Sequence, residues 1–181
     1  MPFKDTNLVR KFAQHIAKKL SQPPLREKLL DADLGFEHRA VGEDLRKYLS
    51  EFLKAQAAES VLPSSEVDWE GDQRNASELK RNYQIVGIWT FPDAAVLAPF
   101  TCAFEFDREP KGGGSGFKDA LMKAAVHVLS GAYDACVLVY LLSAGHATHK
   151  YLNDGSDHTE QLILALQTAG LYVTLIGNQS A

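Results

Sequence analysis

In the first sixty residues, apolar residues are spaced as in amphipathic helices. In the first of them apolar residues recur at every fourth position, namely Leu8, Phe12, Ile16 and Leu20. This interval is close to one turn of an α-helix and predicts a single buried face, and Pro23 and Pro24 end it. A short second helix is predicted from Leu25 to Leu34, closed by Gly35, and a third from about Val41 to Ala58.

The pattern shortens in the middle of the chain. Residues 60–78 are polar and acidic and are predicted to form a loop or linker. Three short strands are then predicted, Tyr83–Thr90, Ala94–Ala98 and Thr101–Asp107. Strand side chains alternate between faces, so the last strand should carry two acidic residues on one face and Cys102, Phe104 and Phe106 on the other.

Helices and strands alternate in the last third of the chain. A glycine-rich segment, Lys111–Gly116, leads into a predicted helix, Phe117–Leu129, and the unbroken apolar run Ala135–Leu142 predicts a buried strand. A helix from Asp157 to Ala169 and a strand from Leu171 to Ile176 follow. This order predicts an α/β or α+β sandwich, in which helices flank a mixed central sheet.

Composition places the chain among ordinary globular proteins. It has 181 residues, 45% hydrophobic and 23% charged, which suits a single domain over residues 1–181. The longest apolar run is too short to cross a bilayer, and the N-terminus lacks the apolar stretch of a secretory signal, so a cytoplasmic location is expected. Cys102 and Cys136 lie in apolar runs and are expected in the core, with a disulfide between neighbouring strands as the alternative.

Charge is unevenly distributed along the chain. The net charge of -4 argues against indiscriminate binding of nucleic acid. Residues 1–30 nevertheless carry a local excess of five positive charges. This segment is either a phosphate-facing surface or the solvated side of the first helices.

Three acidic residues are the strongest chemical signal. Asp93 follows Pro92 at the head of the second predicted strand, and Glu105 and Asp107 end the third. A hairpin turn near Pro99 would fold Asp93 back beside the other two. Clustered carboxylates repel one another unless a positive charge lies among them, and such oxygen ligands suit Mg²⁺. In the alternative interpretation Asp93 belongs to a turn and the acidic pair faces solvent at a strand end.

The order of elements and the acidic motif resemble the PD-(D/E)XK nuclease superfamily, which has the restriction endonuclease-like fold. The resemblance covers about residues 41–142, carried by Pro92-Asp93 and by Glu105-Phe106-Asp107. It implies a nuclease-like core over residues 41–181, preceded by an N-terminal helical extension over residues 1–40.

The resemblance also implies roles for individual residues. Asp93 matches the motif aspartate and Glu105 the first acidic position, while Asp107 stands where the family usually has lysine. Asp107 is then a ligand for a metal or a metal-bound water. Alternatively Lys118, or after it Lys111 in the glycine loop, supplies the missing positive charge. The implied catalytic residues are therefore Asp93, Glu105, Asp107 and Lys118, and the implied metal ligands are Asp93, Glu105, Asp107 and, from the flank of an upstream helix, Asp44.

The implied activity is that of a metal-dependent endodeoxyribonuclease. It would hydrolyse DNA phosphodiester bonds with Mg²⁺, for which Mn²⁺ could substitute, and act as a homodimer that cuts both strands of a duplex. One alternative is a catalytically inactive nuclease fold that serves as a binding or assembly module. Another is a nucleotide-binding protein that uses the glycine loop at residues 111–116, although this loop does not meet the P-loop pattern.

Histidines add a weaker signal. His146, His149 and His158 are predicted in a polar loop, where no cysteine or carboxylate completes a metal-binding set. His127 is predicted to pack on the flank of its helix.

Overall fold

The chain is an α/β protein. The computed structural model describes residues 6–31, 43–60, 66–69, 93–98, 102–109, 116–131, 133–142 and 157–177. Within these ranges the helices are α1 (Thr6–Leu20), α2 (Leu25–Asp31), α3 (Glu43–Glu59), α4 (Gly116–Leu129) and α5 (Asp157–Ala169). The strands are β1 (Glu66–Trp69), β2 (Asp93–Ala98), β3 (Cys102–Arg108), β4 (Ala135–Leu141) and β5 (Leu171–Ile176).

The strands form one mixed sheet in chain order, β1-β2-β3-β4-β5. β1, β2 and β3 pair antiparallel, whereas β3, β4 and β5 pair parallel. β3, β4 and β5 can run parallel because a helix connects each of them to the next. Such a crossover carries the chain back to the starting edge of the sheet, so that the next strand runs in the same direction. All seven residues of β4 are buried, as its unbroken apolar run predicts.

Helices cover the sheet on both faces. On one face α1, α2 and α3 enclose a core that includes Cys102, Phe104 and Phe106 of β3. On the other face α4 and α5 enclose a second core, to which β3 contributes Ala103. The predicted alternation along the third strand is confirmed, and the result is a three-layer sandwich.

α1 belongs to this sandwich. Its apolar stripe is buried in the same core as Phe104, and the ring of Phe12 meets the ring of Phe104 edge-on at 6.5 Å between centroids. The hydroxyl of Thr174 on β5 donates to the carbonyl of Ala17 at 2.9 Å. The predicted N-terminal extension therefore includes a helix that covers the sheet.

Most predicted elements are confirmed to within two residues, and one prediction is wrong. The predicted loop at residues 60–78 contains β1, a four-residue strand that pairs with β2. So short a strand shows no readable period, and it is stabilised by its partner. The predicted strand Tyr83–Thr90, like Gly35 and Pro99, lies outside the described residues.

Cys102 and Cys136 are buried and are not joined by a disulfide, so the disulfide alternative is wrong. Cys102 pairs with Ala135 and Cys136 pairs with Ala103, which places the two thiols in the cores on opposite faces of the sheet. Burial raises the pKa of the Cys102 thiol, in keeping with a core role. No helix among the described residues has the length and apolarity needed to cross a membrane.

Candidate functional site

Two acidic residues of β3 meet two basic residues of α4 on the face of the sheet that α4 covers. Nε2 of His127 lies 2.9 Å from Oε2 of Glu105, and Nζ of Lys123 lies 3.0 Å from Oδ2 of Asp107. Two residues along a strand span about 6.6 Å and four along a helix about 6 Å. Because these spacings match, both contacts form side by side between the strand and the helix that follows it.

Glu105 is the buried end of this site. Its side chain has no solvent exposure, and Oε1 has no hydrogen-bond partner among the described residues. Burial raises the pKa of Glu105 above its ordinary value, against the opposing effects of the hydrogen bond with His127 and the charge of Lys123. A buried carboxyl with one unsatisfied oxygen is costly in a core, so Glu105 is not explained by packing.

Asp107 is the accessible end of the site. Its side chain is 25% exposed, and that of Lys123 is 17% exposed. Oδ1 of Asp107 accepts a hydrogen bond from the backbone N–H of Arg108 at 2.8 Å. A ligand from solution can therefore approach at Asp107, while Glu105 lies deeper along the same strand.

The structure pairs β2 with β3 as the predicted hairpin requires, and the register fixes the backbone of Asp93. Asp93 pairs with Phe106, and Ala94 pairs with Glu105. Directly opposed residues of an antiparallel pair share a face of the sheet, so this register assigns Asp93 to the face of Phe106 and Ala94 to the face of Glu105. The side chain of Asp93 lies outside the described part of the structure. The register gives no support to the convergence of all three carboxylates, which stays a prediction.

Two other predicted residues form no hydrogen bond or ion pair with Glu105 or Asp107 in the described structure. Asp44 is exposed on α3, which packs on the opposite face of the sheet. Lys118 is exposed in the first turn of α4.

The remaining candidates are Lys111 and three histidines. Lys111, His146 and His149 lie outside the described residues, and His158 lies in the first turn of α5. Among the side chains that the structure describes, no group of three or more His, Cys, Asp or Glu is placed to hold a metal ion.

Sequence reasoning missed the two basic partners. Lys123 and His127 are four residues apart on a helix that directly follows a strand with acidic residues two apart. That pair of matching spacings was the available signal. His127 was expected to pack on the flank of α4, and it is completely buried; its contact with Glu105 was not predicted.

The basic N-terminal segment offers fewer free charges than its composition suggests. Arg10 is hydrogen-bonded within the protein. Its guanidinium donates to the carbonyl oxygens of Asp134, Thr168 and Ala169 at 3.4, 3.2 and 3.2 Å. The exposed lysines of α1 are Lys11, Lys18 and Lys19. These lysines are what remains on α1 for contact with a phosphate backbone.

Comparison of the chain with protein-family models, with curated proteins and with solved structures gave no match. The site has therefore to be interpreted from its own geometry.

Proposed function

We propose that this chain is a metal-dependent endodeoxyribonuclease of the PD-(D/E)XK type, which hydrolyses DNA phosphodiester bonds with Mg²⁺ or Mn²⁺. The observation that carries the proposal is the 3.0 Å contact between Lys123 and Asp107. Asp107 stands where the motif usually has lysine. Lys123, from the helix after that strand, brings an ammonium group to the same place and takes the role that the sequence assigned to Lys118.

The sheet gives further support. The order of three strands, a helix and a strand agrees with the order on which the resemblance rests. Its first strand is β1, whereas the predicted first strand, Tyr83–Thr90, lies outside the described residues. The acidic pair lies in the C-terminal half of β3, next to parallel β4. In sheets of this kind, ligands bind outside the carboxyl ends of the parallel strands.

Two carboxylate side chains of β3 would contribute oxygen ligands to a hard divalent cation. Oε1 of Glu105 is a buried oxygen that lacks a hydrogen-bond partner in the described part of the chain, and Asp107 is reachable from solvent. Glu105 and Asp107 would hold the ion, which when bound supplies an activated water and neutralises charge on the phosphate. Lys123 would hold Asp107 in place and stabilise negative charge on the phosphate oxygens.

A second candidate is the catalytically inactive nuclease fold, a binding or assembly module. It is favoured by the fact that both carboxylates already have partners within the fold, His127 for Glu105 and Lys123 for Asp107. Internal partners of this kind neutralise the acidic pair without a metal.

Cleavage of supercoiled plasmid tests the proposal. Wild-type protein should nick or linearise the plasmid with Mg²⁺ or Mn²⁺ and lose this activity in EDTA. Lys123→Ala should lower the rate by roughly 100-fold or more, since one well-placed charged group contributes about that much. Lys118→Ala removes an exposed lysine from the same helix and should leave the rate unchanged.

The inactive alternative gives a different result. It predicts no cleavage by the wild type under any metal condition and no rise in melting temperature with Mn²⁺. Cleavage that survives in both Glu105→Gln and Asp107→Asn would exclude these carboxylates from the chemistry.

A further inference from the structure

We infer that His127 is a positioning residue of this site, which fixes the Glu105 carboxylate through Oε2 and leaves Oε1 as the oxygen offered to a cation. The inference rests on the proposed metal-dependent function and adds to it a residue that the acidic motif does not contain. His127 contacts Glu105 and is not itself placed as a metal ligand.

The hydrogen bond distinguishes the two oxygens of Glu105. A glutamate that binds a cation is ionised and only accepts hydrogen bonds, so in the metal-bound state the 2.9 Å contact is a bond donated by the Nε2–H of His127 to Oε2. This bond occupies one of the two lone pairs of Oε2. The other oxygen, Oε1, is equally enclosed by protein and has no hydrogen-bond partner among the described residues.

His127 is itself held in place. Its side chain has no exposed surface, and its ring lies 5.1 Å from the ring of Tyr133 at an angle of 60°. The backbone N–H of Tyr133 donates to the carbonyl of His127 at 3.0 Å. A donor fixed by a helix and by an adjacent aromatic ring can restrict a glutamate side chain that would otherwise rotate about three bonds.

Such a partner matters in a metal site because it orients the ligand before the ion arrives. Hydrogen bonds to ligating side chains typically change metal affinity by about 10- to 100-fold. His127 is also clear of the accessible end of the site, where Lys123 contacts Asp107. Its effect should therefore be on metal binding through Glu105 and not on approach of the phosphate.

The test is a titration of the 181-residue chain with Mn²⁺ alone, in which electron paramagnetic resonance measures the bound Mn²⁺. His127→Leu removes the donor and should weaken Mn²⁺ binding by about 10- to 100-fold. His127→Gln keeps an N–H donor and should recover most of that loss. His15→Leu, at an exposed histidine on α1, is the matched control and should bind Mn²⁺ like the wild type. Thermal unfolding without metal separates lost affinity from lost fold.

A measurement on the wild type keeps the inference testable even if the His127 variants do not fold. In ¹⁵N-labelled protein, Nε2 of His127 should carry a proton in the presence of Mg²⁺, and its resonance should shift when Mg²⁺ is added. A folded His127→Leu protein with wild-type Mn²⁺ affinity, or an Nε2 resonance that Mg²⁺ does not move, would overturn the inference.

The two proposals fail in distinguishable ways. If the wild type binds no Mn²⁺, the metal-dependent function is wrong and the role of His127 falls with it. If the wild type binds Mn²⁺, Glu105→Gln abolishes binding and His127→Leu does not weaken it, only the role of His127 is wrong.

Discussion

Glu105 is the residue with the least ordinary environment in the described structure. A carboxyl group enclosed by protein is stable as an anion only if its surroundings replace the water that it has lost. His127 replaces part of that water, at one oxygen, and burial still raises the pKa of Glu105. The metal-free protein thus holds a proton at this site more tightly than an unfolded chain does.

This difference predicts a pH dependence of stability. A raised pKa in the folded state stabilises the fold fully below the ordinary glutamate pKa, and this contribution is lost as the pH rises through the higher folded value. Glu105→Gln cannot titrate. Its free energy of unfolding, relative to the wild type, should therefore increase as the pH rises from about 4 toward neutrality.

Urea denaturation of both proteins over a series of pH values, without divalent ions, measures this change. Glu51→Gln, at an exposed position on α3, is the control and should show no comparable trend. A Glu105→Gln difference that stays constant with pH would contradict the inferred environment of Glu105.

The sequence allowed the acidic residues of the site to be placed on the sheet, but not their basic partners. Strand alternation was enough to place Glu105 and Asp107 on the face opposite Phe106. Their partners were not predictable, because the rotation of α4 about its own axis is set by packing against the sheet. That rotation turns His127 and Lys123 toward β3 and leaves Lys118 in solvent.

At the scale of elements, the turn from α5 to β5 depends on a single glycine. Gly170 has φ +100°, and a Cβ atom there would lie 2.6 Å from the carbonyl oxygen of Asp134 and 3.1 Å from Nε of Arg10. The turn thus brings the end of one helix against the start of β4, with the Arg10 guanidinium bound to nearby carbonyls. A side chain at residue 170 would push these groups apart.

Gly170→Ala should therefore destabilise the fold by roughly 3 kcal/mol, from backbone strain and the close contact together. Gly131 is the matched control, with φ +74° and, apart from its chain neighbours, no atom of the described residues within 4 Å of the position that a Cβ would take. Gly131→Ala should cost only about 1 kcal/mol. Equal midpoints in urea for the two variants would show that the contact at Gly170 carries no cost.

Elements with a clear period were predictable, and short or partner-dependent ones were not. α5 and β5 agree with the sequence because a capping residue and a glycine mark their ends. β1 was missed because its four residues exist as a strand through pairing with β2. The order of strands in the sheet was not readable either, since it depends on contacts between distant segments.

At the scale of the whole molecule, the burial of α1 makes the N-terminal segment part of the fold. Its residues Val9, Phe12, Ile16 and Leu20 are buried against the sheet in the core that contains Phe104, Val137 and Val139. Burying one large apolar side chain contributes about 1.5–3 kcal/mol, and a whole domain is stable by only about 5–15 kcal/mol. The helix therefore carries a large share of the stability of the fold.

Deletion of residues 1–22 should abolish cooperative folding, which near-ultraviolet circular dichroism and urea titration would measure. The charge of the segment can be tested separately, by replacing the exposed Lys11, Lys18 and Lys19 with glutamine. That variant keeps the buried face and should unfold like the wild type. If the same lysines contact phosphates, its DNA affinity should fall and the salt dependence of binding should weaken. A truncated protein that still unfolds cooperatively would show instead that the sheet holds together without its first helix.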